Sequence, residues 1–159
     1  MFQLRHYLIG LSILLALMLQ IMPMPILVDP YRPDWLLLVI AYWCLALPNR
    51  VSIGVAFFNG LILDILLGTT LGVHSLAMTV VVYILAVNYQ RLRNYSVWQQ
   101  AIIVGVIGAL YHLVIFWMLR LLTDVDFQFE FLWPVFTGML IWPWIFGLLR
   151  KLRRQFKIT

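Results

Sequence analysis

Charge is scarce in this chain. Only 11% of its 159 residues are Asp, Glu, Lys or Arg, while 64% are hydrophobic. A soluble domain carries about 25% charged and about 45–50% apolar residues, and a soluble fold of this length has too little interior to hide the excess. The solvent that these side chains meet is therefore lipid. Cysteine is reduced to Cys44, which excludes an intramolecular disulfide. It lies in an apolar run, where a buried and inert thiol is expected. No Cys/His cluster has metal-ligand spacing, and there is no glycine-rich phosphate loop, paired-carboxylate site or nucleophile elbow. The reading is of a protein that is not an enzyme and has no cofactor, metal or catalytic residue to name.

What is present is a series of apolar runs. About 20 apolar residues cross the hydrocarbon of a bilayer, and the uncharged stretches divide into six spans at about 7–24, 35–48, 51–67, 72–89, 98–120 and 131–149. The long run from Val51 to Gln90 contains one charge, Asp64, and breaks at Gly68-Thr69-Thr70-Leu71-Gly72, a turn signal. The second span is short for a crossing, which leaves open a tilted helix, a thinned bilayer or a re-entrant segment. Pro23, Pro25, Pro30 and Pro33 make 23–34 a loop. Residues 123–130 alternate between apolar and polar, predicting an extended strand lying in the interface. The first span lacks a small-x-small cleavage site, so it is expected to stay as a membrane helix and not to be removed as a signal peptide. The whole is a single all-α, six-helix membrane domain, 1–159, with a basic tail at 150–159.

Net charge is +5. A basic balance can mark a nucleic-acid partner, but here the basic residues flank apolar spans and point to lipid and topology. Six spans with the N-terminus inside place Arg5, Arg50, Arg91, Arg93, Arg150, Lys151, Arg153, Arg154 and Lys157 in the cytoplasm, nine of the eleven Lys and Arg residues. Arg32 and Arg120 fall outside, with Asp29, Asp34, Asp124, Asp126 and Glu130. Positive-inside counting thus predicts both ends in the cytoplasm. Trp43 and Trp98 fall near inner boundaries and Trp35, Trp117 and Trp133 near outer ones, as an aromatic belt would. Trp142 and Trp144 flank Pro143, which frees a carbonyl one turn earlier in the last span.

Few residues carry chemistry. Asp64 is the one acid inside a span and lies between Gly60 and Gly68, a spacing that lets a helix approach closely. Helix packing or capping of the following turn, contact with a partner, and ion or proton chemistry are all readings of it. His112, next to Tyr111, lies mid-span, where a histidine bridges helices or relays protons. Asn59 is interhelical glue, and His74 opens the fourth span as a surface or capping residue. Asp64 and His112 lie at similar depth, about 20 Å into their spans, so Asn59, Asp64 and His112 are expected to form one polar network. Arg150, Lys151, Arg153, Arg154 and Lys157 form a juxtamembrane cluster that anchors on lipid headgroups or meets a cytoplasmic protein.

The stretch from Gly60-Leu61-Ile62-Leu63-Asp64 through Gly68-Thr69-Thr70-Leu71-Gly72-Val73-His74-Ser75-Leu76 resembles the signature of the MreD family of rod shape-determining membrane proteins. Other segments follow in order: Leu19-Gln20-Ile21-Met22-Pro23, Arg32-Pro33-Asp34-Trp35, Tyr42-Trp43-Cys44, Tyr89-Gln90-Arg91-Leu92-Arg93-Asn94, Trp98-Gln99-Gln100 and Trp142-Pro143-Trp144-Ile145-Phe146. The resemblance covers nearly the whole chain. It implies a non-enzymatic inner-membrane component of the bacterial cell-elongation machinery. The implied partner is MreC and, through the complex, the MreB filament, RodA and its penicillin-binding transpeptidase. It also implies a fold similar to the substrate-binding membrane subunits of energy-coupling-factor transporters. Gly60, Asp64, Gly68 and Gly72 carry over as a packing or partner-contact motif, and self-association stays open. The competing reading is a subunit that binds or transports a small solute or a lipid intermediate.

Overall fold

A computed structural model describes residues 2–158. It contains six α-helices: α1 (Phe2–Ile21), α2 (Trp35–Ala46), α3 (Ile53–Leu67), α4 (Val73–Arg93), α5 (Val97–Leu122) and α6 (Trp133–Gln155). Among the described residues there is no strand. Three segments are long and apolar enough to cross a membrane: α4, α5, and Phe129–Gln155, which contains α6. The apolar parts of α1 and α3 are shorter, at His6–Ile21 and Ile53–Leu67.

Helix α2 explains its own shortness. Its 12 residues rise about 18 Å, against a hydrocarbon core of about 30 Å. Every residue from Leu36 to Ala46 is buried, and α2 contacts α1, α4, α5 and α6. A helix that is apolar all round belongs in an interior. Sheathed by other helices, α2 has no lipid-facing length to match. Lipid tails are as apolar as leucine, so burial alone does not hold α2 in place; close packing and a few polar contacts do. One such contact is the Trp43 indole N–H, which donates to the Ser12 hydroxyl of α1 at 2.8 Å. Trp43 is 1% exposed and is a core residue, not part of the interfacial belt expected of it. Trp98, Trp117 and Trp133 are exposed, as is Trp144. Cys44 is buried and free. Between its ends the bundle shows lipid an apolar surface, with Leu14, Phe58, Val106 and Leu140 exposed.

The loops differ from expectation in one place. Residues 124–128 are irregular, and a 3-10 turn follows at Phe129–Leu132. A lone strand has no neighbour to satisfy its backbone, and aromatic packing holds this loop instead. Phe127 lies edge-on to Phe116 of α5 at 5.2 Å and to Phe129 at 5.7 Å. The proline-rich loop is tied down by Arg32, whose guanidinium donates to the carbonyls of Gln20, at 2.6 Å, and of Met22. It pairs with Asp29 at 3.0 Å. Arg32 thus satisfies carbonyls left unpaired at the end of α1. At the other terminus, α6 runs through Gln155, so the basic tail is mostly a helix end.

Candidate functional site

The polar groups of the bundle gather where α3 turns into α4. Gly68 adopts φ +66° and Gly72 φ +100°, a left-handed backbone that glycine accepts without strain. The Gly68 N–H bonds to Ile65 O and the Thr69 N–H to Asp64 O, a Schellman closure of α3. Gly72 is the N-cap of α4 and has no side chain with which to cap it. Asp64 of α3 supplies the missing group. Its carboxylate accepts the backbone N–H groups of Gly72 and His74, each at 3.0 Å, and of Ser75 at 3.3 Å. It also accepts the Thr69 hydroxyl at 3.0 Å and lies 2.7 Å from His74 Nδ1. Asp64 is fully buried. One carboxylate therefore satisfies the donors that a helix start leaves free and meets the positive end of the helix dipole.

Gly60 completes this clasp. A Cβ there would stand 2.4 Å from Ser75 Cα and 2.8 Å from Ser75 N, so α3 and α4 touch backbone to backbone. All four residues of the motif, Gly60, Asp64, Gly68 and Gly72, are thus used inside the chain to join two helices. Ile62, on another face of α3, is exposed.

A second carboxylate–imidazole pair sits beside the first. His112 Nε2 of α5 is 2.6 Å from Asp34 Oδ2. Asp34 is the N-cap residue of α2 but makes no capping bond to its own helix; it reaches across to α5. The buried Tyr111 ring lies 6.3 Å from that of His74 and 5.3 Å from that of His112. Asp34 and His74 thus stand where the expected network had placed Asp64 opposite His112. Asn59 is not a member either: its amide donates to Val55 O, one turn back on α3, at 2.8 Å. The partner of Asp64 was within reach of the sequence, because a five-residue turn folds His74 back beside it. The partner of His112 lies 78 residues away, and no local pattern announces it. Among the described residues no group of three or more His, Cys, Asp or Glu could hold a metal.

The basic cluster lies at the opposite end of α4. Arg150, Lys151, Arg153 and Arg154 occupy the last turns of α6, and Lys157 follows with φ 47°. The Arg150 guanidinium stands 5.9 Å over the Phe146 ring.

The sequence matches the family described as rod shape-determining protein MreD over residues 1–152. This chain belongs to the MreD family. A rod shape-determining protein MreD from Haemophilus influenzae is 42% identical over 144 residues, covering 91% of this chain and 89% of the relative. A role in rod cell shape follows from this membership. No solved structure matches the chain, and the likeness to energy-coupling-factor subunits has no support from that comparison.

Proposed function

We infer that this MreD-family chain is a non-enzymatic scaffold in the inner membrane. It binds MreC and helps to couple MreB filaments to peptidoglycan synthesis by RodA and its transpeptidase. Family membership along 1–152 carries this reading. The geometry agrees with it: Asp64 bonds to His74 and Asp34 to His112 within the chain, which suits a rigid body that presents helix faces to other proteins. Six spans with both ends cytoplasmic fit the nine-to-two division of Lys and Arg between the two sides.

Photo-crosslinking residues placed in turn on the exposed face of each helix test the partner in living cells. Adducts with MreC confined to one face are the expected result. A chain that restores rod shape while giving no MreC adduct from any helix would overturn the reading. A reporter fused after Lys157 that is active only in the periplasm would overturn the orientation.

A further inference from the structure

At the end of the bundle opposite Asp64, the ends of α2 and α6 and the α4–α5 turn surround a cavity of about 410 Å³, within the usual size range of a small-ligand site. Arg93, Arg150 and Arg153 line it, with Tyr42, Tyr95 and Gln100. No carboxylate lines it. The ion pairs of the described residues are Arg32–Asp29, His74–Asp64 and His112–Asp34, so none of these three arginines has an acid among those residues. Arg150 is held in place by Phe146, which packs edge-on against Tyr42 at 5.5 Å. Val97, in the first turn of α5, also lines the cavity and adds the positive end of a helix dipole. Three guanidiniums around one space repel each other unless an anion lies between them. Their planar donors match the oxygens of a phosphate.

Gln100 ties together the helix ends that frame the cavity. It is 3% exposed, and its amide N–H donates to Leu92 O at 3.0 Å and Tyr95 O at 3.4 Å. That fixes the orientation of the amide and leaves its buried oxygen, Oε1, with no donor. That oxygen is closed off even to a water molecule, so the charge on the cavity wall, and not Gln100, selects the ligand, and an ammonium would be repelled by the arginines. Trp98, exposed one residue beyond Val97, marks this depth as that of the headgroups.

We propose that this cavity binds the headgroup phosphate of an anionic phospholipid, with phosphatidylglycerol as the test ligand. Arg93, Arg150 and Arg153 hold the phosphate. With the C-terminus in the cytoplasm, the lipid comes from the cytoplasmic leaflet. The site does not depend on MreC contact, and its test reads lipid and no partner.

The purified protein in detergent is titrated with short-chain phosphatidylglycerol, phosphatidic acid and phosphatidylcholine, and bound lipid is counted by native mass spectrometry. Phosphatidylglycerol binds at least about tenfold tighter than phosphatidylcholine, as charge-assisted bonds to phosphate without an opposing ammonium predict. Arg93→Gln with Arg153→Gln removes that preference. Lys151→Gln with Arg154→Gln removes the same charge outside the cavity and keeps it. Phosphatidic acid binds at least as tightly as phosphatidylglycerol, because the phosphate is what the arginines hold. Equal losses from the two double variants would show diffuse attraction to the helix end and overturn the site. Both double variants change exposed or half-buried side chains, so both proteins should fold and the comparison decides the matter. Glycerol 3-phosphate is the soluble competitor. If it displaces the lipid at equal concentration, the occupant is a free phosphate ester and the lipid assignment fails.

Discussion

Asp64 reaches the first turn of α4 from α3, and Gln100 reaches its last turn from α5. At the Asp64 end every arm of the reaching group is used: the carboxylate takes three backbone N–H groups, a hydroxyl and an imidazole. At the Gln100 end the amide N–H is spent on two carbonyls, and the arginines beside it have no acid among the described residues. Both ends tie α4 to its neighbours. Only the second leaves bonding capacity for something outside the chain. A saturated polar cluster in a membrane bundle thus reads as a folding device, and an unsaturated one reads as a place for a ligand. The stretch from Gly60 to Leu76 that resembles the family signature falls at the saturated end.

The sharpest way to break this contrast is to open the saturated end by force. Gly60→Leu would drive a side chain into the Ser75 backbone, which cannot rotate away. Overpacking of this kind costs about 3 kcal/mol, so the variant should lose its cooperative melt in detergent. At Gly54 an added Cβ meets nothing within 4 Å, and Gly54→Leu should melt close to the parent. Similar melting of the two variants would mean that α3 and α4 do not touch as described. Next in size is Asp64→Asn, which keeps the shape and turns one acceptor into a donor facing donors. Leaving buried N–H groups unpaired costs about 1–3 kcal/mol, and the thermal midpoint should fall accordingly.

The saturated end also shows how far the sequence could be read. The lipid-facing class, the six helical segments and the turn at 68–72 follow from run length, charge placement and glycine spacing, because these are local properties. The choice of partner for a buried charge is not local. Asp64 and His112 share a depth, and depth alone invites pairing them; the bundle brings a nearer group to each. Asp64 meets His74 because the short turn brings it there, and Asp34 meets His112 only through the crossing of α2 with α5. The same limit hid Trp43, whose place near a span boundary suggested the interface. Helix α2 is enclosed by four others, and position along a span does not tell which face another helix will cover.

Two double-mutant cycles measure that correction. Asp34→Asn with His112→Gln should show coupling of about 0.6 kcal/mol, the average for interhelical hydrogen bonds in membranes. Asp64→Asn with His112→Gln should be additive, since each residue loses a different partner. Coupling in the second cycle and none in the first would restore the pairing that depth alone suggested.

The smallest effect belongs to the open end, and its sign is the informative part. Arg153 lines the cavity with Arg93 and Arg150 and pairs with no acid among the described residues. In detergent without lipid, its charge should oppose the fold through repulsion. Arg153→Gln should therefore leave the melting midpoint unchanged or slightly raised, within about 0.5 kcal/mol, as for a surface substitution. Because like charges at a solvated end are screened within about 10 Å at 0.1 M salt, any gain should vanish as salt is added. Phosphatidylglycerol should reverse the order, raising the midpoint of the parent and not of the variant, because a ligand stabilises only the form that binds it. The measurement is a melt of both proteins at low salt, at high salt and with lipid. A clear loss of stability on removing Arg153 in lipid-free detergent would mean that this arginine already has a partner in the chain, and the distinction between the two ends would fall.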